Sequence, residues 1–372
     1  MKILYDHQAF TGQRFGGVSR YFHELMESLL RINIKLDLSI LFSNNDYLKK
    51  SSFQKPRSFS HFLGYKFTNQ LVSNIDRLLS IFKLIRGDFD IFHPTFFHSY
   101  FLYFIRKKPF VLTYHDCIKE RFNLNHVDNA TQKQKKELLC RASKIIAVSE
   151  NTKKDIVEFY QIDERKIVVI HHTSNFRHYK LPQNYRSKSL TNYLLYVGAR
   201  NDYKNFIGFL NDISTVLRKR KDIHLLCAGG GAFTKDENVV IAKLGLQNQV
   251  IYQYFDSDDT LFSLYKNAIA FVYPSLYEGF GIPIIEAFAC GCPVVLSNRS
   301  CFPEVAGEAA LYFNPDNPVE VALKIEEIIT NQKLRNSLII KGINRQKKFS
   351  TQKQIRDTLA VYQSVLNSQV LI

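Results

Sequence analysis

Glu278 and Glu286 stand eight residues apart in EGFGIPIIE (278–286), with Gly279, Gly281 and Pro283 between them. Carboxylates on one turn can accept paired hydrogen bonds from a diol, each charge-assisted bond worth ~1.5–3 kcal/mol. The glycines remove side chains, so backbone N–H groups and a helix N-terminus can approach a ligand, and those groups favour negative charge such as phosphate. The turn therefore reads as a grip for something polyhydroxylated and phosphorylated. Its plain alternative is two solvated surface carboxylates. Other candidates are Arg200 and Lys204 in YVGARNDYKNF (196–206), His115 beside Asp116 in TYHDC (113–117), and Gly16 and Gly17 in FGGVSRYFHEL (15–25). Each has a bland reading too: a basic loop after a strand, a structural histidine, a turn that starts a helix.

The elements that must position these residues follow from periodicity. Short β-branched runs alternate with amphipathic stretches, the signature of parallel sheets built from βαβ units. Strands are expected at 2–6, 35–42, 90–94, 110–115, 144–149 and 166–172, with helices near 17–32, 61–86, 131–142 and 150–160, the last capped by Ser149 or Asn151. The polar, proline-containing stretch 173–192 reads as a linker. A second set of strands is expected at 193–198, 224–229, 250–255, 269–274, 293–297 and 310–314, with helices near 205–220, 237–246, 258–268 and 283–290. Pro283 suits the first helical position and Gly291 the C′ position. The chain thus divides into an α/β domain over 1–172, the linker, a second α/β domain over 193–350, and a final helical stretch over 351–372 that must dock on something already built. The stretch 319–342 reads as one helical run. Glu278 falls at the C-terminal end of a strand, where open α/β sheets bind ligands, and Glu286 about one turn into the helix that follows.

Composition narrows the partners. The 372 residues carry a net charge of +16, which calls for an anionic partner. Residues 41–110 hold eleven Lys or Arg against four Asp, interleaved with Phe, Leu, Ile and Tyr, which favours a membrane-interface patch. No zinc-finger, RRM or helix-turn-helix pattern points to nucleic acid. The most apolar run, 96–105, is far short of the ~20 residues of a membrane span. The N-terminus lacks the layout of a secretory signal, and six cysteines without CxxC spacing read as reduced thiols. DSDD (256–259) contains a DxD, yet it precedes an amphipathic stretch, so Ser257, Asp258 and Asp259 read as N-cap and first-turn acids and no metal ligands are assigned.

The motif EGFGIPIIE, and with it the whole of residues 273–318, resembles the Glu-x7-Glu segment of the retaining GT-B glycosyltransferases of glycosyltransferase family 4, in their mannosyltransferase-like branch. The segments 196–206, 15–25 and 113–117 resemble that family's phosphate-binding segment, glycine-rich loop and active-site histidine segment; the likeness is weak from about 44 to 90. The resemblance implies two Rossmann-like doubly wound domains facing a central cleft, the first on the acceptor side and the second binding the nucleotide sugar, with the C-terminal helix crossing back to the first. It implies that Glu286 holds the nucleotide ribose, that Glu278 with Gly279, Phe280, Gly281 and Ile282 holds the donor sugar, and that His115, with Asp116, acts close to the anomeric carbon. Arg200 and Lys204, with the amides near Gly16, Gly17 and Gly279, would neutralise the leaving diphosphate without a metal. His93 and His98 are weaker acceptor-side candidates. The expected activity is metal-independent, retaining transfer of a sugar, with GDP-mannose as the favoured donor, to a lipid-linked glycan such as a surface-polysaccharide precursor. The expected place is the cytoplasm, peripheral on the inner face of the cell membrane. A nonenzymatic sugar-nucleotide-binding subunit and a nucleotide-sugar epimerase are the alternatives.

Overall fold

The structure is a computed structural model that describes residues 1–11, 14–59, 65–122, 129–174, 176, 179–181, 191–200 and 202–370. Two compact units emerge: Met1–His172 together with Thr351–Ile372, and Thr173–Ser350. Of the expected linker 173–192, residues 175, 177, 178 and 182–190 lie outside the described residues.

In the first unit, β1 (Lys2–Tyr5), β2 (Lys35–Leu38) and β3 (Ile91–His93) pair in the order β2-β1-β3, while β4 (Val111–Tyr114), β5 (Lys144–Ala147) and β6 (Ile167–Val169) pair in sequence. A parallel bridge between Phe92 and Phe110 joins the two triplets. All pairings are parallel. Side chains alternate across a strand, so the sheet carries a core on each face. Ile3 and Tyr5 pack with Tyr21, Phe22 and Leu25 of the helix Gly17–Arg31, whereas Leu4 packs with Phe92, Leu112 and Tyr114. The C-terminal helix Thr351–Val370 belongs to this unit, burying Val361, Tyr362 and Val365 in the Tyr5 core. Its Tyr362 hydroxyl lies 2.9 Å from the Tyr5 hydroxyl and 2.7 Å from His93 Nδ1. The final amphipathic stretch therefore completes a face that the first 172 residues leave open.

The second unit holds one six-stranded parallel sheet in the order β12-β11-β10-β7-β8-β9, built from β7 (Tyr193–Val197), β8 (His224–Ala228), β9 (Val250–Gln253), β10 (Ala270–Tyr273), β11 (Val294–Ser297) and β12 (Leu311–Phe313). Order reverses on either side of β7, between β8 and β10. The loops after β7, β8 and β10 therefore share the edge where ligands of open α/β sheets bind. The twelve strands occur where the alternating pattern places them, trimmed by a residue or more at their ends. Besides short helices that the sequence reading does not expect, such as Gln8–Thr11, Asp46–Lys49 and Phe302–Ala306, two details differ from it. The helix of the carboxylate turn is Ile282–Ala289, so Pro283 is its second residue, a position that also has no intrahelical acceptor for its missing N–H. The run 319–342 is broken at Asn331 into Pro318–Thr330 and Gln332–Gln346, because the Asn331 side chain accepts from Leu334 N at 3.0 Å and caps a new helix.

Candidate active site

The turn after β10 is fixed by its glycine before any ligand is considered. Gly281 has φ +84°, a conformation strained for any L side chain, and a Cβ there would sit 3.0 Å from Ile284 Cδ1. The helix Ile282–Ala289 starts from that residue. It ends in a Schellman motif at Gly291 (φ +68°), with Cys292 N donating to Ala287 O and Gly291 N to Phe288 O. Both ends of this short helix are thus set by residue type, and Glu286 is carried between them. Glu286 is 3% exposed and accepts from the Tyr265 hydroxyl at 3.2 Å. Burial first, and then the Glu286 charge, hold that hydroxyl protonated, its pKa well above the usual range.

Glu278 is 7% exposed, and Lys204 Nζ donates to its Oε1 at 2.5 Å. The same Nζ lies 3.2 Å from the Tyr273 hydroxyl and 5.3 Å from the ring centroids of Tyr203 and Tyr273. The peptide carrying Glu278 is clamped: its N–H donates to Ser300 Oγ at 3.1 Å, and that hydroxyl donates to Glu278 O at 2.6 Å. One element over, Leu276 N donates to Tyr203 O at 2.8 Å. The segments 196–206 and 278–286, distant in sequence, therefore meet through a backbone bond and a buried ion pair. Phe280 is buried and packs edge-on against Phe349 at 5.6 Å. Solvated surface carboxylates do not describe this arrangement.

Arg200 and Lys204 have different partners. The Arg200 side chain is 3% exposed and ion-pairs through Nε with Glu237 Oε1 at 2.7 Å. Nη1 donates to Gly229 O at 3.1 Å and Nη2 to Gly231 O at 2.8 Å and Ala232 O at 3.0 Å, and the guanidinium lies over the Phe233 ring. Arg200 thus ties the loop after β7 to the loop after β8. That second loop, Gly229–Gly231, has positive φ at all three residues, and a Cβ at Gly230 would come within 2.5 Å of Gly198 O. The run CAGGGAF (227–233) signals this tight loop in sequence, and the reading above passes over it. Glu237 also completes a capping box with Thr234 on the helix Lys235–Lys243. In DSDD, Ser257 Oγ accepts from Thr260 N at 3.3 Å as N-cap of Asp258–Asn267, and Asp259 accepts from the Tyr179 hydroxyl. Among the described residues, no group of three or more His, Cys, Asp or Glu is placed to hold a metal ion.

In the first unit, His115 follows β4. Its ring stacks on His172 at 5.5 Å with planes 7° apart, and the Tyr21 ring meets both edge-on, at 5.2 and 4.9 Å. His115 Nε2 is buried and has no hydrogen-bond partner among the described residues. Burial pushes its pKa down to about 4, so the imidazole is neutral at pH 7. Asp116 Oδ1 accepts from Ile118 N at 3.1 Å, at the start of the short helix Ile118–Phe122. Gly17 opens the helix Gly17–Arg31 with Gly16 as N-cap, and a Cβ at Gly17 would meet nothing within 4 Å. His93 is a core residue: both ring nitrogens are taken, Nδ1 by Tyr362 and Nε2 by Thr113 at 2.9 Å. His98 caps the 3₁₀ turn Ser99–Tyr103. The sequence reading missed His172, since its stacking on His115 joins residues 57 positions apart.

Residues 15–173 match the family described as Glycosyltransferase Family 4, and residues 180–345 match the family described as Glycosyl transferases group 1. The chain belongs to the family 4 glycosyltransferases. An O-antigen chain mannosyltransferase of Salmonella typhimurium is 34% identical over 177 residues, 48% of each chain. O-antigen chain mannosyltransferase B of Escherichia coli is 33% identical over 172 residues, 46% of this chain and 45% of its own. The match thus spans about half the length of these relatives. An uncharacterized glycosyltransferase of Methanocaldococcus jannaschii is 24% identical over 97% of this chain and 96% of its own. Among solved structures, sucrose-phosphate synthase of Thermosynechococcus elongatus superimposes with a TM-score of 0.77 at 18% identity, covering 99% of this chain and 100% of that one. A glycosyltransferase of Rickettsia africae does so at 0.73 and 21%, covering 98% of each. These likenesses identify the fold as GT-B.

Proposed function

We propose that the chain transfers mannose from GDP-mannose, with retention of anomeric configuration and without a metal ion, to a lipid-linked glycan of the surface-polysaccharide type. The single observation that carries the reading is the buried Lys204–Glu278 pair, on the same turn as buried Glu286 at the switch point of the second sheet. The mannosyltransferase relatives support the choice of sugar.

In this mechanism Glu286 accepts from the ribose hydroxyls and Glu278 from those of the sugar. Lys204 then donates toward the diphosphate, where charge grows as the bond to the anomeric carbon lengthens. Arg200 holds the Gly229–Gly231 loop in shape rather than meeting the phosphates. The neutral imidazole of His115 offers Nε2 to a donor-sugar hydroxyl, with Asp116 holding the turn behind it. The N-terminus of Gly17–Arg31 adds positive potential. The acceptor hydroxyl attacks the anomeric carbon from the face the diphosphate leaves. The new C–O bond takes the hydroxyl's electron pair, the old C–O pair passes to the phosphate oxygen, and that oxygen takes the acceptor proton.

Docking on an anionic membrane belongs to the same proposal. On the helix Tyr65–Arg86, the exposed Leu71, Leu78, Phe82 and Ile85 fall on one face, flanked by Lys83 and Arg86. No helix among the described residues is long and apolar enough to cross a membrane.

The test is transfer of radiolabel from GDP-mannose to a bacterial lipid extract, with the anomeric configuration of the product read by NMR. The expected result is an α-linked, lipid-soluble product; label released only as free sugar or epimer would contradict it.

A further inference from the structure

A second polar cluster lies at the C-terminal edge of the first sheet, apart from His115, and the mechanism above leaves it unused. Asp6 and His7 follow β1, Thr95 and His98 follow β3, and Asp76, Arg77 and Ser80 come from the helix Tyr65–Arg86. Their common neighbour is the Tyr100 ring: the Arg77 guanidinium carbon lies 5.7 Å from its centroid, the His98 ring 5.6 Å and the His7 ring 6.2 Å. The Tyr100 hydroxyl donates to Asp6 Oδ2 at 3.1 Å and shares a second hydrogen bond with Ser80 Oγ at 2.6 Å, in which the serine hydroxyl can supply the proton.

Most of this network is satisfied. Asp6 also accepts from Thr95 N at 2.8 Å, Thr95 Oγ1 at 2.7 Å and Gln8 Nε2 at 2.6 Å. Asp76 accepts from Leu41 N at 2.7 Å, Phe42 N at 3.3 Å and Thr11 Oγ1 at 3.3 Å. Two groups stand out against that background. His7 is 2% exposed, yet its Nε2 has no hydrogen-bond partner among the described residues. Among the described residues, buried Arg77 Nε has no partner and the guanidinium makes no ion pair. Buried polar atoms are satisfied as a rule, and leaving one unmade costs about 1–3 kcal/mol, so two together mark a place where something binds.

The donor and acceptor roles can be read from the network. His98 Nδ1 accepts from Tyr100 N at 3.2 Å, which leaves its proton on Nε2 as a donor. The single Thr11 Oγ1 proton goes to His7 O at 3.2 Å or to Asp76 Oδ2 at 3.3 Å, which leaves the oxygen to accept from His7 Nδ1 at 3.1 Å; in that tautomer His7 Nε2 presents a lone pair. The cluster thus offers a permanent cation and an imidazole N–H beside one acceptor. That combination suits an oxyanion next to a hydroxyl.

We infer that Arg77, His98 and His7 form a binding site for a phosphorylated sugar, Arg77 and His98 holding the phosphoryl oxygens and His7 Nε2 an adjacent hydroxyl. The inference rests on the proposed function in taking this group to be part of the acceptor. A planar guanidinium matches the phosphate geometry, which a lysine would not reproduce.

The test is calorimetric titration of the full chain with a hexose 1-phosphate, inorganic phosphate and the free hexose, each with and without saturating GDP, in wild type, Arg77→Gln and Arg77→Lys. Thermal unfolding of each variant checks that it is folded. The expected result is hexose 1-phosphate binding that persists under GDP, weakens ~10-fold or more in Arg77→Gln and recovers only in part in Arg77→Lys. Inorganic phosphate should bind more weakly with the same dependence on Arg77, and the free hexose should show none. Absence of hexose 1-phosphate binding, or binding indifferent to both variants, overturns the site. Phosphatidylglycerol vesicles should float wild type and Arg77→Gln alike; flotation that needs Arg77, with soluble phosphate binding that does not, assigns the cation to the bilayer and also overturns it. GDP binding is read in the same titrations: its absence beside Arg77-dependent phosphate binding counts against the donor reading alone.

Discussion

The two units place chemistry at the same topological position, the C-terminal edge of a parallel sheet, and solve it with opposite electrostatics. The second unit brings ionisable partners together: Lys204 with Glu278, and Arg200 with Glu237, both enclosed. The first unit also encloses a pair, Lys135 with Glu120, but it adds a set of buried imidazoles, His7, His93, His115 and His172, all shifted down by desolvation and neutral at physiological pH. A diphosphate that develops charge needs a fixed cation, whereas a sugar hydroxyl needs only neutral donors and acceptors. On the proposed function, the donor side of the contrast follows that division of labour.

The largest effect that would sharpen it lies in the brace. Arg200→Ala leaves Glu237 buried without its cation, and is expected to lower stability by about 3–5 kcal/mol, measured by urea unfolding. The loss should fall on the second unit and spare near-UV signals from the first. Next is the turn itself. Glu278→Ala is expected to reduce transfer ~10²-fold or more in steady-state assays, the cost of one contact made in the transition state. A variant with wild-type turnover breaks the assignment of the carboxylate.

The acid response should follow the imidazoles. A histidine whose folded pKa lies below its unfolded value binds its proton mainly in the unfolded chain. Its stabilising contribution is full above about pH 6.5 and is lost as pH falls toward the folded value, about 4 for His7 and His115. Each well-buried histidine shifted that far costs on the order of 2 kcal/mol by pH 5. Asp76, raised to about 6 by burial, opposes this between about pH 4 and 6, by less. Acidification from pH 7 to 5 should thus destabilise the first unit ahead of the second, as hydrogen exchange resolved by segment would show. The smallest effect is local: Ser149→Ala removes the N-cap bond to Thr152 N at 2.9 Å and should cost ~1 kcal/mol by urea unfolding.

The same contrast explains what the sequence disclosed. Period-2 and period-3.6 patterns located the strands and the long helices, because each element faces a core on a fixed set of residues. The carboxylate turn was legible because Gly281, Pro283 and Gly291 dictate backbone geometry locally, and Glu278 and Glu286 ride on it. The Lys204–Glu278 and Arg200–Glu237 pairs were not legible as pairs, since a charge does not announce its partner 74 or 37 residues away. The same holds for the stack of His172 on His115, and for the Tyr362 hydroxyl that links His93 to Tyr5 across 269 and 357 residues. The break at Asn331 was hidden because its flanks are apolar at helical spacing, while one side-chain oxygen decides the cap.

The central claim is that the turn of the second unit grips an activated sugar through Glu278 and Lys204. Calorimetric titration with GDP-mannose and with GDP, in wild type and in Glu278→Ala, tests it most directly. The account predicts that wild type binds GDP-mannose more tightly than GDP, and that the variant binds GDP while losing that preference. Wild type that binds neither nucleotide, or a variant that keeps the full preference for the sugar, would contradict it.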